Sequence, residues 1–272
     1  MPVQFPAFWW GYNSRQMVTP EISITTLIDQ HVLSAELAGV LWALLARRAS
    51  CLAVAGHYSG AGKTTTMTAL SSFYPGDTDF VVARGRFEDF SFVPETDAAK
   101  TTVLVPEFSD HMPAYLWGPG AATVVRLRQQ GYTFAGTIHA DSVEEVLADL
   151  MAAPVSLTPP EVAGALNIIL MQNIVPELQA RRVQGVSWIY PTPRGPKGIG
   201  AKGLASWNTR DDLWHLFSSP ETWAQLATWC ELPDAGALHA EVEARTAFLG
   251  ELTAEGVTDF DAVDERIQAF QV

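Results

Sequence analysis

Short apolar runs recur along the first two thirds of the chain, at 51–56 (CLAVAG), 79–85 (DFVVARG), 101–107 (TTVLVPE), 133–140 (TFAGTIHA), 165–172 (ALNIILMQ) and 181–190 (RRVQGVSWIY). Several are apolar at every position, the pattern of parallel strands covered on both faces. Between them lie segments with helical spacing, at 63–73, 121–130 and 142–151. The third carries a capping box, Ser142 with Glu145, and an apolar face of Val143, Val146, Leu147 and Leu150. Two helices are expected upstream, at 22–30 and 34–48; Ser34 caps the second, whose apolar face is Leu37, Val40, Leu41, Leu44 and Leu45. Strands alternating with helices predict an α/β fold with a mostly parallel sheet.

The pattern changes outside that block. Residues 1–20 read as an irregular, aromatic-rich arm, and 191–203, rich in Pro, Gly and basic residues, as a loop or linker. Residues 204–217 resemble a hairpin, and helical stretches follow at 220–230, 237–256 and 259–270. The expected organisation is an N-terminal arm with helices (1–48), a core (49–192) and a C-terminal hairpin with an acidic helical lobe (193–272). From residue 220 onward only Arg245 and Arg266 oppose eleven acids. It reads as the solvated faces of a packed helical cap, with a docking surface as the alternative.

Charge and composition narrow the classes. The chain has 272 residues, 48% hydrophobic, with a formal net charge of −13. That balance is globular and argues against a nucleic-acid partner, which needs clustered Lys and Arg. Cys51 and Cys230 sit in apolar surroundings and read as buried, unpaired thiols, in keeping with a reducing cytoplasm. The N-terminus lacks the charged and apolar regions of a signal peptide, and no apolar run approaches the roughly 20 residues that span a bilayer. A cytoplasmic protein that meets a membrane only through a partner is expected.

Chemistry enters at Gly56-His-Tyr-Ser-Gly-Ala-Gly-Lys-Thr64, between an apolar strand and a helix. It reads as a phosphate loop of the G-x-x-x-x-G-K-T kind. Gly56, Ser59, Gly60, Ala61, Gly62, Lys63, Thr64 and Thr65 are the expected nucleotide contacts. Backbone N–H groups would cradle phosphates, Lys63 would reach the β- and γ-phosphates, and the Thr64 hydroxyl would hold Mg²⁺. Hydrolysis also needs an acid on a second strand. Glu107 ends the run 101–107 and is the expected one, with Asp110 as the competing choice. Glu88 and Asp89 follow another strand; they would orient water or Mg²⁺, or belong to a polar loop. His139 ends a further strand and would sense the γ-phosphate or serve structurally.

In this order the segments GHYSGAGKTTT, RGRFEDF, VLVPEF and GYTFAGTIHADSVEEVL resemble the Walker A loop, Asp box, Walker B strand and His box of the secretion-superfamily ATPases. These are the motors of type II and type IV secretion, type IV pili and archaeal flagella. The resemblance covers most of residues 21–272. It implies a RecA-like P-loop NTPase core, ATP and Mg²⁺ as cofactors, Glu107, His139, Glu88 and Asp89 as catalytic residues, a hexameric ring with nucleotide at subunit interfaces, and a polytopic membrane platform protein as partner. The chain departs from the family pattern in several places. Only about 50 residues precede the loop where members carry a large N-terminal domain. The position two residues after the Walker B acid, where an Arg is expected, is Ser109, and the position after the Asp box where a second acid is expected is Phe92. Arg126, Arg128, Arg181 and Arg182 are the candidates to replace the missing arginine contacts.

Two readings of function follow. One is an ATP-hydrolysing motor subunit of a type IV pilus-like or type II/IV secretion apparatus. The other is a nucleotide-binding regulatory or assembly subunit with weak or no hydrolysis. A nucleic-acid motor stands third because of the acidic charge.

Overall fold

The computed structural model describes residues 22–56, 60–216 and 219–270. The aromatic arm expected at 1–20 lies outside them, as does Ser59.

Two helices come first, α1 (Ile24–Asp29) and α2 (Ala35–Leu45), each begun by a serine whose hydroxyl accepts a backbone N–H: Ser23 from Thr26 and Ser34 from Leu37. The apolar stripe expected on α2 is wider than its spacing suggested. Every residue from Leu37 to Leu45 is buried, as in a helix covered on all sides. There follow β1 (Cys51–Ala55), α3 (Lys63–Ser71), β2 (Asp79–Val82), β3 (Thr101–Phe108), α4 (Pro119–Leu127), β4 (Thr133–His139), α5 (Val143–Met151), α6 (Pro159–Ala165) and β5 (Ile168–Val175). After β5 come β6 (Ala180–Pro191), β7 (Ile199–Asn208), β8 (Leu213–Leu216), α7 (Pro220–Trp229), α8 (Ala235–Ala254) and α9 (Phe260–Ala269).

One sheet holds all eight strands, in the order β2-β3-β4-β1-β5-β6-β7-β8. Neighbours from β2 to β5 are parallel, and β5 to β8 continue antiparallel. This is the α/β architecture with a mostly parallel sheet that the sequence predicts. Side chains alternate between two cores: Cys51, Ala53, Ile168 and Leu170 face one, Leu52, Val54 and Ile169 the other. The first core is capped by α1, α2, α3 and α7–α9, the second by α4, α5 and α6.

The structure corrects several local expectations. The linker at 191–203 is a hairpin: β6 runs to Pro191, β7 starts at Ile199, and Pro191 pairs with Ile199. The boundary expected at 192 therefore falls in a turn of one sheet. Helix α6 was not anticipated, although Thr158 and Glu161 form a capping box around Pro159. The acidic C-terminal helices are not set apart, because α8 lies along α2. A Cβ on Gly39 of α2 would strike the Thr246 side chain of α8, so only glycine permits that approach. Two of the acids expected on a solvated face are interior: Asp264 is fully buried, and Glu241 binds Arg47 through both oxygens (2.7 and 3.1 Å) and Arg245 at 2.5 Å. Cys51 and Cys230 are buried and unpaired, as expected. Among the described residues no helix is long and apolar enough to cross a membrane.

Candidate active site

Ligands of open α/β sheets bind beyond the carboxyl ends of the parallel strands. Three of those ends converge here. The chain leaves β1 at Ala55, crosses the glycine-rich segment and enters α3 at Lys63. Gly60 (φ 85°) and Gly62 (φ 92°) adopt left-handed backbone, which a side chain resists, so the reversal into α3 depends on them. At Gly56 a Cβ would meet only the carboxylate end of the exposed Asp141 side chain, which can move aside. The spacing is looser than the strict loop pattern: five residues separate Gly56 from Gly62 where G-x-x-x-x-G-K-T has four. His57 therefore holds the first pattern position, and 57–59 lie outside the described residues.

Glu107 owes its placement to a bulge. Val105 pairs with Gly136 and Phe108 with Ile138, so β3 uses one residue more than β4 over that step. Pro106 has no N–H to give to the ladder, and its carbonyl accepts the Thr137 hydroxyl at 2.7 Å. Bulges of this kind re-aim a side chain. The Glu107 backbone is then fixed by Leu116, whose N–H donates to its carbonyl at 3.0 Å.

Lys63, Glu107 and His139 meet in this region. The Lys63 ammonium lies 3.0 Å from His139 Nε2 and 3.9 Å from Glu107 Oε2, and His139 Nε2 is 3.5 Å from the same carboxylate oxygen. His139 Nδ1 is 2.8 Å from the Gly56 carbonyl. A proton on Nδ1 satisfies both contacts, with Nδ1 donating to Gly56 and Nε2 accepting from Lys63. Lys63 and Glu107 are nearly closed to water, at 8% and 7% exposure. Burial lowers the Lys63 pKa below its ordinary value, and the Glu107 charge opposes that fall. Thr64 follows Lys63 in the first turn of α3, and Thr65 comes next. A threonine hydroxyl is a hard oxygen donor of the kind Mg²⁺ takes while keeping most of its shell as water and phosphate oxygens.

Glu88 and Asp89 behave differently. Glu88 accepts backbone N–H groups from Arg84 and Phe90, both at 2.7 Å, and so braces its own turn. Asp89 pairs with the Arg84 guanidinium and accepts the Ser91 N–H. Neither has a hydrogen bond or ion pair with Lys63 or Glu107 among the described residues. Glu88 lines a cleft of about 380 Å³ with Arg86, Phe90, Leu116 and Trp117. Asp110, the alternative acid, lies beyond the end of β3 and is exposed.

Three of the four candidate arginines are committed elsewhere. Arg126 pairs with Glu161 at 2.6 Å, Arg128 donates to the Arg48 carbonyl and to Thr133, and Arg182 grips both oxygens of Asp212 at 2.7 and 2.8 Å. Arg181 reaches the loop instead, with Nε donating to the Gly60 carbonyl at 2.7 Å. Beside it Gln172, buried in β5, donates from Nε2 to the Ala61 carbonyl at 2.8 Å. Sequence reasoning passed over Gln172 and Pro106. The available signals were a lone amide inside the apolar run ILMQ and a proline inside VLVPEF.

No family model matches the chain. It is 24% identical to an uncharacterized protein of Methanocaldococcus jannaschii over 96% of its own length, and spans about half (51%) of that relative. Among solved structures it is similar to the VirB11 ATPase from the Brucella suis type IV secretion system in complex with sulphate. The identity there is 20%, covering 64% of this chain and 61% of that one, with a TM-score of 0.40. It is also similar to the Legionella pneumophila ATPase DotB, at 11% identity over 89% of this chain and 65% of that one, with a TM-score of 0.36.

Proposed function

We propose that this chain binds ATP with Mg²⁺ and hydrolyses it as the motor subunit of a type IV pilus-like or type II/IV secretion apparatus. The observation that carries the reading is the convergence of Lys63, Glu107 and His139 beside a glycine-rich turn into α3, at the carboxyl ends of β1, β3 and β4. In this reading the N–H groups of Gly60–Thr65 receive phosphates, and Lys63 neutralises the β- and γ-phosphates. Bound Mg²⁺, held by the Thr64 hydroxyl, would supply charge neutralisation on the phosphates. Glu107 orients the attacking water and takes up its proton, and His139, held by the Gly56 carbonyl and in contact with Lys63, senses the terminal phosphate through that lysine. Glu88 and Asp89 serve the site through the turn they brace. By the motif resemblance, the working assembly is a hexameric ring acting on a polytopic membrane platform protein.

The test is Mg²⁺-dependent ATP turnover by the pure protein, beside Lys63→Ala, with particle mass measured with and without nucleotide. Turnover abolished by Lys63→Ala supports the reading. Turnover that survives the substitution refutes it. Tight ATP binding with negligible turnover by the wild type would replace the motor with a regulatory or assembly subunit.

A further inference from the structure

The carbonyls of Gly60 and Ala61 are both engaged from outside the loop, and both donors come from one hairpin. Gln172 stands on β5 and Arg181 on β6, and their strands pair antiparallel around the turn 176–179. The two side chains pack directly on the loop: a Cβ on Gly62 would come within 2.9 Å of both Arg181 Cδ and Gln172 Nε2.

In a trans peptide the C=O of one residue and the N–H of the next point in opposite directions. Holding the Gly60 and Ala61 carbonyls toward the hairpin therefore turns the N–H groups of Ala61 and Gly62 away from it. These are two of the N–H groups expected to receive phosphate. Glycine on either side leaves those peptide planes free to rotate, so the unbound loop has little intrinsic reason to hold them.

Gln172 is an expensive way to fill its site. It is 2% exposed, and its Oε1 has no hydrogen-bond partner among the described residues. A buried acceptor without a donor is a liability for folding. Reversing the amide would set Oε1 against the Ala61 carbonyl, so the bond to the loop fixes its orientation.

We infer that Gln172 and Arg181 are positioning residues, which hold the Gly60–Ala61–Gly62 peptides of the loop in the phosphate-receiving orientation before ligand arrives. The inference rests on the nucleotide-binding reading above. It also gives Arg181 a role that differs from direct phosphate neutralisation: its Nε acts on the loop backbone.

The test compares wild type with Gln172→Leu, Arg181→Met and the double variant. The readouts are affinity for Mg-ADP, affinity for inorganic pyrophosphate, and melting temperature without ligand. Each single variant should bind both probes about tenfold more weakly, as expected for misdirected hydrogen bonds to a charged group. The double variant should lose less than the product of the two, because adjacent peptides of one loop are released. Gln172→Leu should melt at or above the wild-type temperature, which separates positioning from a general structural role. Because Gln172 carries no charge, its effect also separates orientation from attraction. Wild-type affinity in both single variants overturns the inference, and so does loss of affinity in Arg181→Met alone. If the wild type itself binds neither probe, it is the nucleotide-binding reading that fails.

Discussion

Replacing Glu107 with Gln should separate binding from turnover. In the unliganded site the Glu107 carboxylate lies 3.9 Å from the Lys63 ammonium. The attraction at that distance is between about 1 kcal/mol in water-like surroundings and about 4 kcal/mol at an effective dielectric of about 20. An incoming phosphate must compete with this carboxylate for Lys63 and is repelled by it as well. Glutamine keeps the shape and removes both effects. Part of that attraction is regained by the glutamine oxygen, which can still accept from Lys63, so a gain near 1.4 kcal/mol, or about tenfold in Mg-ADP affinity, is expected. Turnover should fall at least about a hundredfold, within the contribution typical of a positioned general base. The assays are a direct binding titration with Mg-ADP and steady-state phosphate release from Mg-ATP. Weaker ADP binding by Glu107→Gln would show that the carboxylate does not compete for Lys63. Turnover near the wild-type rate would show that it is not the acid that serves the water.

Two further outcomes follow from buried charge. Lys63 must be protonated to hold phosphate, and burial lowers its pKa in the free protein from the ordinary 10.5. Mg-ADP affinity should accordingly decline on the alkaline side at a pH below 10.5, and an affinity flat up to that pH would contradict the assignment. Glu241 tests the helical layer. Its removal in Glu241→Ala leaves Arg47 and Arg245 facing each other in the interior, with Arg245 also stacked 5.2 Å above Trp42. Breaking such a pair costs about 3–5 kcal/mol, and the low end applies because Arg47 stays 24% exposed. Burial pushes the Glu241 carboxyl up, but Arg47 and Arg245 pull it further down, to a net value below the ordinary 4.5. A depressed folded value means stability that is present above the unfolded pKa and lost as pH falls through the folded one. Urea titrations should therefore show the wild type losing its advantage over Glu241→Ala below about pH 4.5, and an advantage that persists at lower pH would refute the ion-pair account.

The parts of this molecule legible in the sequence are those fixed by local chemistry. Apolar runs at 51–56, 101–107 and 133–140 announce strands because parallel strands are buried on both faces, whatever their neighbours. Ser34 and Ser142 announce helix starts because each must satisfy its own orphan N–H groups. Residues 191–203 were misread for the opposite reason. Their Pro and Gly content suggests a loop, yet 199–203 become strand because β6 offers a pairing edge. The start of β5 was placed three residues too early, since the short helix α6 takes up the chain as far as Ala165.

The site divides in the same way. The sequence by itself determined that a glycine-rich turn ends at Lys63 and Thr64, and that Glu107 and His139 stand at the carboxyl ends of two buried strands. These are statements about residue type and position within one segment. Tertiary structure alone decided that β1 lies between β4 and β5, bringing Lys63 within reach of His139. It also decided that a bulge against β4 re-aims Glu107 and that of four arginines Arg181 reaches the loop. Strand order, register and side-chain commitment depend on contacts between segments distant in the chain, and no local pattern of hydrophobic and polar residues encodes them.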